Sequence, residues 1–233
     1  MNFSNLDRDI ARLILLQRTE LISPILARLR KIFGRYFFTN FLSKYLISPS
    51  KINRGYYQLM LDEYNDLKKN IIFENKKILS VGSGMGGLEI IINSSSKNNF
   101  FTFIEKNYVS KKVLYGWDKN NNEAYNNLYK LKDFITNNGI NVKNFEVYDF
   151  DNDVLPIKNY DLVISLYSLD YHYDFSFYIE YLRKISNENT QIIFDTIRPE
   201  YFQKVFKNVD IIKNEQKSIH GSKRVVCNKF KKN

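Results

Sequence analysis

The 233-residue sequence predicts an α/β fold: a doubly wound, mostly parallel sheet of seven strands behind a helical N-terminal extension. Three observations predict it. From Lys76 onward, short apolar runs of strand length alternate with segments of helical periodicity. A cluster of glycines at 82–87 falls between the first of those strands and the helix after it. Residues 1–60 show helical spacing alone, which sets them apart as an extension of the domain at 61–233.

Within the extension, Ser23 and Pro24 suit an N-cap and a first helical position, and Gly34 suits the stop. Between them Ile25, Leu26, Leu29, Ile32 and Phe33 recur at helical spacing, while Arg28, Arg30 and Lys31 take other positions. Ser48, Pro49 and Ser50 mark the next break. Residues 78–81 form the first expected strand, and 88–93 begin a helix. Residues 100–104 are the second strand, and 124–138 a helix closed by Gly139. Strands at 145–148 and 161–166 follow. Asp174 suits the cap of a helix through Ile185, with Phe175, Tyr178, Ile179 and Leu182 on one face. A fifth strand at 191–194, a short helix at 200–206 and two last strands at 209–212 and 224–227 complete the chain. Strands alternating with helices imply a parallel sheet covered on both faces.

Composition narrows the function classes. The one cysteine, Cys227, excludes an intramolecular disulfide and a thiolate-clustered zinc site. No run of about 18 uncharged apolar residues exists to span a bilayer. Asp7, Arg8 and Asp9 stand where a signal peptide needs an apolar core, so a cytoplasmic protein is expected. The net charge of +10 is uneven: residues 1–55 hold ten Lys/Arg against three acids, and 217–233 hold six Lys/Arg and no acid. Basic ends flanking one cleft would suit an RNA partner. The helix expected after Pro24 has three readings: a lid over a cleft, a peripheral contact with an anionic membrane surface, or a solvated face on a packed helix. The basic tail at 223–232 reads as exposed charge on the last strand, and His220 as solvated.

The glycines carry the first chemistry. A loop without Cβ atoms turns tightly and lets a ligand approach backbone N–H groups at a helix start. Gly82, Gly84 and Gly87 satisfy the G-x-G-x-x-G pattern of dinucleotide sites, and Gly82, Gly84 and Gly86 equally satisfy a G-x-G-x-G loop. Glu105 follows at the end of the second strand, where a carboxylate accepts hydrogen bonds from ribose hydroxyls.

Three further features separate the two patterns. The loop comes after about seventy residues of helical extension. The third strand ends in Tyr148-Asp149-Phe150-Asp151, ahead of Leu155-Pro156, and the chain finishes in a strand, turn and strand. Together these resemble class I S-adenosylmethionine-dependent methyltransferases, over roughly residues 56–230. The resemblance implies a Rossmann-like sheet and S-adenosylmethionine as cofactor. It implies that Gly82, Ser83, Gly84 and Gly86 pass the methionine part and that Glu105 holds the ribose. It also places an acid and its neighbour on the adenine: Asp149 with Phe150, or Asp151 instead. Ser165, closing the fourth strand, completes the expected cofactor set.

The segment from Ser165 through Ser168 to His172 and Tyr173 looks like the Ser-x-x-Ser-(two or three residues)-His-Tyr segment of bacterial sugar O-methyltransferases. Tyr115-Gly116-Trp117 and Tyr125-Asn126-Asn127-Leu128 are similar to that group's segment after the second strand, whereas Leu169-Asp170 departs from its pattern. The resemblance implies a sugar or sugar-nucleotide hydroxyl as acceptor. A hydroxyl is a poor nucleophile near neutral pH, so His172 is the expected general base, with Asp170 as the base itself or as orienter of the imidazole. Asp170, His172 and Asp174 alternate, which invites a divalent metal. Asp174 is the better helix cap, however, and one histidine with one acid is too few ligands, so no metal is expected. Ser168 lacks the G-x-S-x-G surroundings of a hydrolase nucleophile. The alternatives that remain are RNA or small-molecule N-methylation, and an NAD-dependent oxidoreductase.

Overall fold

A computed structural model describes residues 2–22, 24–42, 45, 48–111, 123–171, 173–214 and 221–231. Helices α1 (Arg8–Gln17), α2 (Pro24–Phe33), α3 (Arg35–Phe41) and α4 (Pro49–Leu67) form the N-terminal part. Asp7 caps α1 by accepting the Ile10 N–H at 2.7 Å. The break expected near Pro49 is the start of α4, where Ser48 is the N-cap and accepts from the Lys51 N–H. Ser23, the cap expected for α2, lies outside the described residues.

The division expected at 60/61 falls inside α4, which runs on to Leu67. Its buried Ile52, Tyr56, Met60 and Leu67 belong to the same apolar cluster as Ile14 of α1 and Ile78 and Phe101 of the sheet. The extension and the sheet therefore share one core.

Among the described residues, seven strands make one sheet: β1 (Lys77–Val81), β2 (Phe100–Glu105), β3 (Phe145–Asp149), β4 (Leu162–Ser165), β5 (Gln191–Thr196), β6 (Phe206–Asn214) and β7 (Lys223–Phe230). Their order is β3-β2-β1-β4-β5-β7-β6, with β7 antiparallel to both of its neighbours and the other pairs parallel. This is the expected Rossmann-like, doubly wound arrangement. Helices α5 (Gly87–Ser95), α6 (Leu128–Asn137), α7 (Ile179–Ile185) and α8 (Pro199–Val205) connect the strands. The strand order reverses between β1 and β4, and such sheets bind ligands outside the carboxyl ends of the strands at that reversal.

Two helices start later than periodicity suggests. The expected helix from 124 begins at Leu128, because Asn127 caps it through the Lys130 N–H at 3.0 Å and Tyr125 bridges to Val109 instead. Asp174 does act as a cap, but of a single 3₁₀ turn (Phe175–Phe177) that precedes α7. The last two strands run longer than expected, and Arg224 of β7 is completely buried, correcting the reading of 223–232 as exposed charge throughout. Among the described residues no helix is long and apolar enough to cross a membrane.

Candidate functional site

A crevice opens at the carboxyl ends of β1 and β4, and the β1–α5 loop forms its floor. Gly82, Gly84 and Gly86 have φ of +70°, +64° and +70°, the left-handed region that favours glycine. A Cβ at Gly82 would overlap Ser168 Oγ, and one at Gly84 would stand 2.5 Å from Gln17 Oε1. The loop thus passes between the end of α1 and the loop after β4 with no room for side chains. Gly86 serves packing rather than the crevice: a Cβ there would lie 2.8 Å from Ile135 Cγ2 on α6.

Glu105, at the end of β2, turns its carboxylate onto this floor. It accepts the Gly84 N–H at 2.5 Å and the Ser83 hydroxyl at 3.3 Å. Burial pushes its pKa up to about 7, against the pull of the Gly84 N–H. Asn126 fixes the same loop from the other side, donating to the Gly84 carbonyl at 2.7 Å. Gln17, Arg18 and residues 123–126 make the roof, with the Gln17 amide donating to the Tyr125 carbonyl at 2.6 Å. The end of α1 is thus the part of the N-terminal helices that borders the crevice among the described residues. No described residue of α2, for which a lid is one of three readings, lines the crevice.

The far wall is aromatic. Phe150 lies 5.2 Å from Tyr178, ring to ring, with Lys106 Nζ 5.2 Å from the Phe150 centroid. Neither acid singled out beside Phe150 lines this wall. The Asp149 oxygens accept from the Asp151 N–H at 3.0 Å and the Asn152 amide at 2.9 Å, closing the turn after β3. Asp151 pairs with Lys106 at 2.7 Å. Ser165 is likewise occupied: its hydroxyl donates to the Val81 carbonyl at 2.7 Å and accepts the Leu169 N–H at 3.0 Å, tying β1 to the loop after β4.

That loop is strained. Tyr167 and Asp170 both have φ of +58°, a conformation costing a non-glycine residue about 1–2 kcal/mol. Such conformations persist where the surroundings over-determine them, and they cluster at functional sites. The Tyr167 N–H donates to Asp195 at 3.1 Å, and the guanidinium groups of Arg18 and Arg224 lie 5.2 and 5.6 Å from its ring centroid. Asp170, fully buried, accepts from Thr196 Oγ1 at 2.6 Å and pairs with Arg198 at 2.6 Å. Arg198 also reaches Asp174 at 3.2 Å, so a guanidinium bridges the two acids of the metal reading. Burial raises the Asp170 pKa in spite of Arg198. Tyr167, Ser168 and Tyr173 line the crevice and Asp170 does not. His172, the expected base, lies outside the described residues, as do Tyr115, Gly116, Trp117 and His220.

Several lining residues carry no local sequence signal, notably Gln17, Arg18 and Lys106. Arg224 carries a weak signal, since it directly precedes the apolar run Val225-Val226-Cys227 on the last strand. It joins Asp195 at 3.0 Å to Glu63 of α4, all three buried.

No family model matches the sequence, and no curated protein matches it. Among solved structures, the chain is similar to coclaurine N-methyltransferase bound to N-methylheliamine and SAH, at 16% identity and a TM-score of 0.41 over 65% of this chain. The match covers only 38% of that enzyme. The ribosomal protein L11 methylase of Lactobacillus delbrueckii subsp. bulgaricus is similar at 14% identity and a TM-score of 0.46, over 76% of this chain and 80% of that one. M. jannaschii TYW2 in complex with AdoMet gives 19% identity and a TM-score of 0.46, over 76% and 77%.

Proposed function

We propose that the chain is an S-adenosylmethionine-dependent methyltransferase acting on a hydroxyl of a sugar or sugar nucleotide. The observation that carries this reading is the Glu105 carboxylate, held against the Gly84 N–H in a crevice at the reversal of strand order. A carboxylate so placed accepts hydrogen bonds from ribose hydroxyls, while the bare backbone of Gly82 and Gly84 admits the rest of the cofactor. The donor set fits the group. Arg18 offers a cation to the carboxylate of its methionine part, and the Phe150 and Tyr178 rings offer apolar faces to adenine.

When bound, S-adenosylmethionine supplies an activated methyl group. The chain's share of the work is to orient the acceptor, exclude water and take its proton. Gln17 and Arg18 close the roof. His172 is the proposed base, on the chemistry of imidazole and because Ser168 and Tyr173, on either side of it in sequence, line the crevice. Asp170, bound to Thr196 and Arg198, holds the strained turn instead of taking the proton. The sugar acceptor rests on the resemblance of the segment from Ser165 to Tyr173.

Turnover with labelled methyl donor against a panel of sugar nucleotides tests this reading. His172→Ala is expected to slow transfer about a hundredfold or more while leaving affinity for S-adenosylhomocysteine within about twofold. A variant as fast as the parent removes His172 from the chemistry. Thermal stabilisation by NADH, with S-adenosylhomocysteine inert, would refute the cofactor. Methylation of RNA with every sugar nucleotide inert would refute the acceptor.

A further inference from the structure

Helices α2 and α3 meet at Gly34 and present two different sides. Phe38 and Leu42 are 7% and 0% exposed, the packed side. Leu29, Ile32 and Phe33 recur at i, i+3 and i+4 on α2, and Phe37, Phe41 and Tyr45 follow at i, i+4 and i+8. Their exposures are 38%, 74%, 58%, 70%, 45% and 63%. The stripe is joined to itself and to the packed side by ring contacts: Phe41 lies 5.2 Å from Tyr45, and Phe33 stacks on Phe38 at 6.4 Å. Single exposed apolar residues are ordinary; five on these two short helices, with Tyr45 soon after, mark a surface that something covers.

Charge indicates what covers it. Residues 21–61 carry seven Lys/Arg and no Asp or Glu. Among the described side chains Arg28, Lys51 and Arg54 are exposed, and a second copy of a segment without a single acid would be repelled. RNA would match the charge, but it gains little from the aliphatic side chains of Leu29 and Ile32, because single strands are held by stacking on aromatic faces. An interface of anionic headgroups over acyl chains satisfies both features.

We propose that the α2–α3 hairpin docks on the surface of a bilayer rich in anionic phospholipid, with Leu29, Ile32, Phe33, Phe37 and Phe41 entering the acyl boundary and the exposed Arg28 meeting the phosphates. The hairpin connects to the crevice: Asn40 of α3 accepts from Arg12 of α1 at 3.3 Å, and α1 ends at Gln17, in the crevice roof.

Sedimentation of the full chain with vesicles tests this without any cofactor, so its outcome is independent of the methyl-transfer reading. Vesicles of equal parts phosphatidylglycerol and phosphatidylcholine are expected to bind the chain at least about tenfold more strongly than phosphatidylcholine alone, and less so as salt rises. The triple variant Ile32→Ser, Phe33→Ser, Phe37→Ser is expected to lower partitioning about tenfold or more with an unchanged thermal midpoint. Should the triple variant melt early, the single reversal Arg28→Glu is expected to weaken binding severalfold. No pelleting with the anionic vesicles, or pelleting indifferent to these substitutions, would overturn the proposal. So would a dimer dissociated by the triple variant, or RNA retention lost in that variant while vesicles are ignored.

Discussion

Arg224→Ala is expected to lower the free energy of unfolding by about 3–5 kcal/mol, a large part of the roughly 5–15 kcal/mol that holds a domain together. Arg224 Nε is 3.0 Å from Asp195 Oδ1, Nη2 is 3.2 Å from Oδ2, and Nη1 pairs with Glu63. The side chains of Arg224, Glu63 and Asp195 are 0%, 5% and 1% exposed, so solvent screens none of these interactions. Removing the cation leaves two buried carboxylates facing each other. The pH dependence follows. In the parent, burial works to raise the Glu63 pKa, but Arg224, Arg18 and Lys213 outweigh it and hold the carboxyl below its usual value. Glu63 therefore contributes stability above its unfolded pKa, and that contribution is lost as pH falls through the folded value. Burial outweighs Arg224 at Asp195 and raises that carboxyl. Losing Arg224 moves both carboxyls upward in the variant, so the destabilisation it causes is expected to grow as pH rises. Urea unfolding should show the gap between parent and variant narrowing from pH 7 to pH 5. Adding Glu63→Gln to the variant is expected to recover part of the loss. A gap that is constant with pH would contradict the ionic origin of the effect.

Gly82→Ala is expected to cost about 2–4 kcal/mol of stability and to weaken S-adenosylhomocysteine binding about a hundredfold. The backbone is left-handed there, worth about 1–2 kcal/mol against alanine, and the new methyl would overlap Ser168 Oγ and Cβ. Relief requires the loop after β4 to shift, and that loop forms one wall of the crevice. Gly139→Ala is the matching control. Gly139 has φ of +95° with nothing within 4 Å of where a Cβ would stand, so only the backbone cost of about 1–2 kcal/mol should appear, with affinity unchanged. Melting curves and calorimetry on the two variants separate backbone strain from collision at the site.

The crevice floor was legible because its signal is local. A glycine loop between a strand and a helix, with an acid at the end of the next strand, is a statement about spacing, and parallel registry brings Glu105 to the same end of the sheet as Val81. Partners distant in sequence were not legible. Arg224 lies 161 positions from Glu63, and a Lys/Arg-rich tail conceals one buried cation among exposed ones. Asp170 and Asp174 alternate like metal ligands, and only the fold shows Arg198 joining them. Ser165 stands where a ligand contact is expected, yet the two hydrogen bonds it makes serve the junction of β1 with the next loop. Periodicity showed that α2 is amphipathic without showing what covers its apolar face. Helical spacing from 124 likewise hid the preference of Asn127 for a cap.

Calorimetric titration of S-adenosylhomocysteine into the parent chain and into Glu105→Ala, at pH 6 and pH 8, tests the role of Glu105 most directly. Burial lifts that carboxyl to about 7, so its charged form, the one proposed to accept from ribose hydroxyls, gains population across this interval. The parent is expected to bind up to about tenfold more tightly at pH 8 than at pH 6. Glu105→Ala is expected to bind about a hundredfold more weakly at pH 8 and to lose the pH dependence. Equal affinity in the two proteins, or no binding by the parent at either pH, would contradict the account.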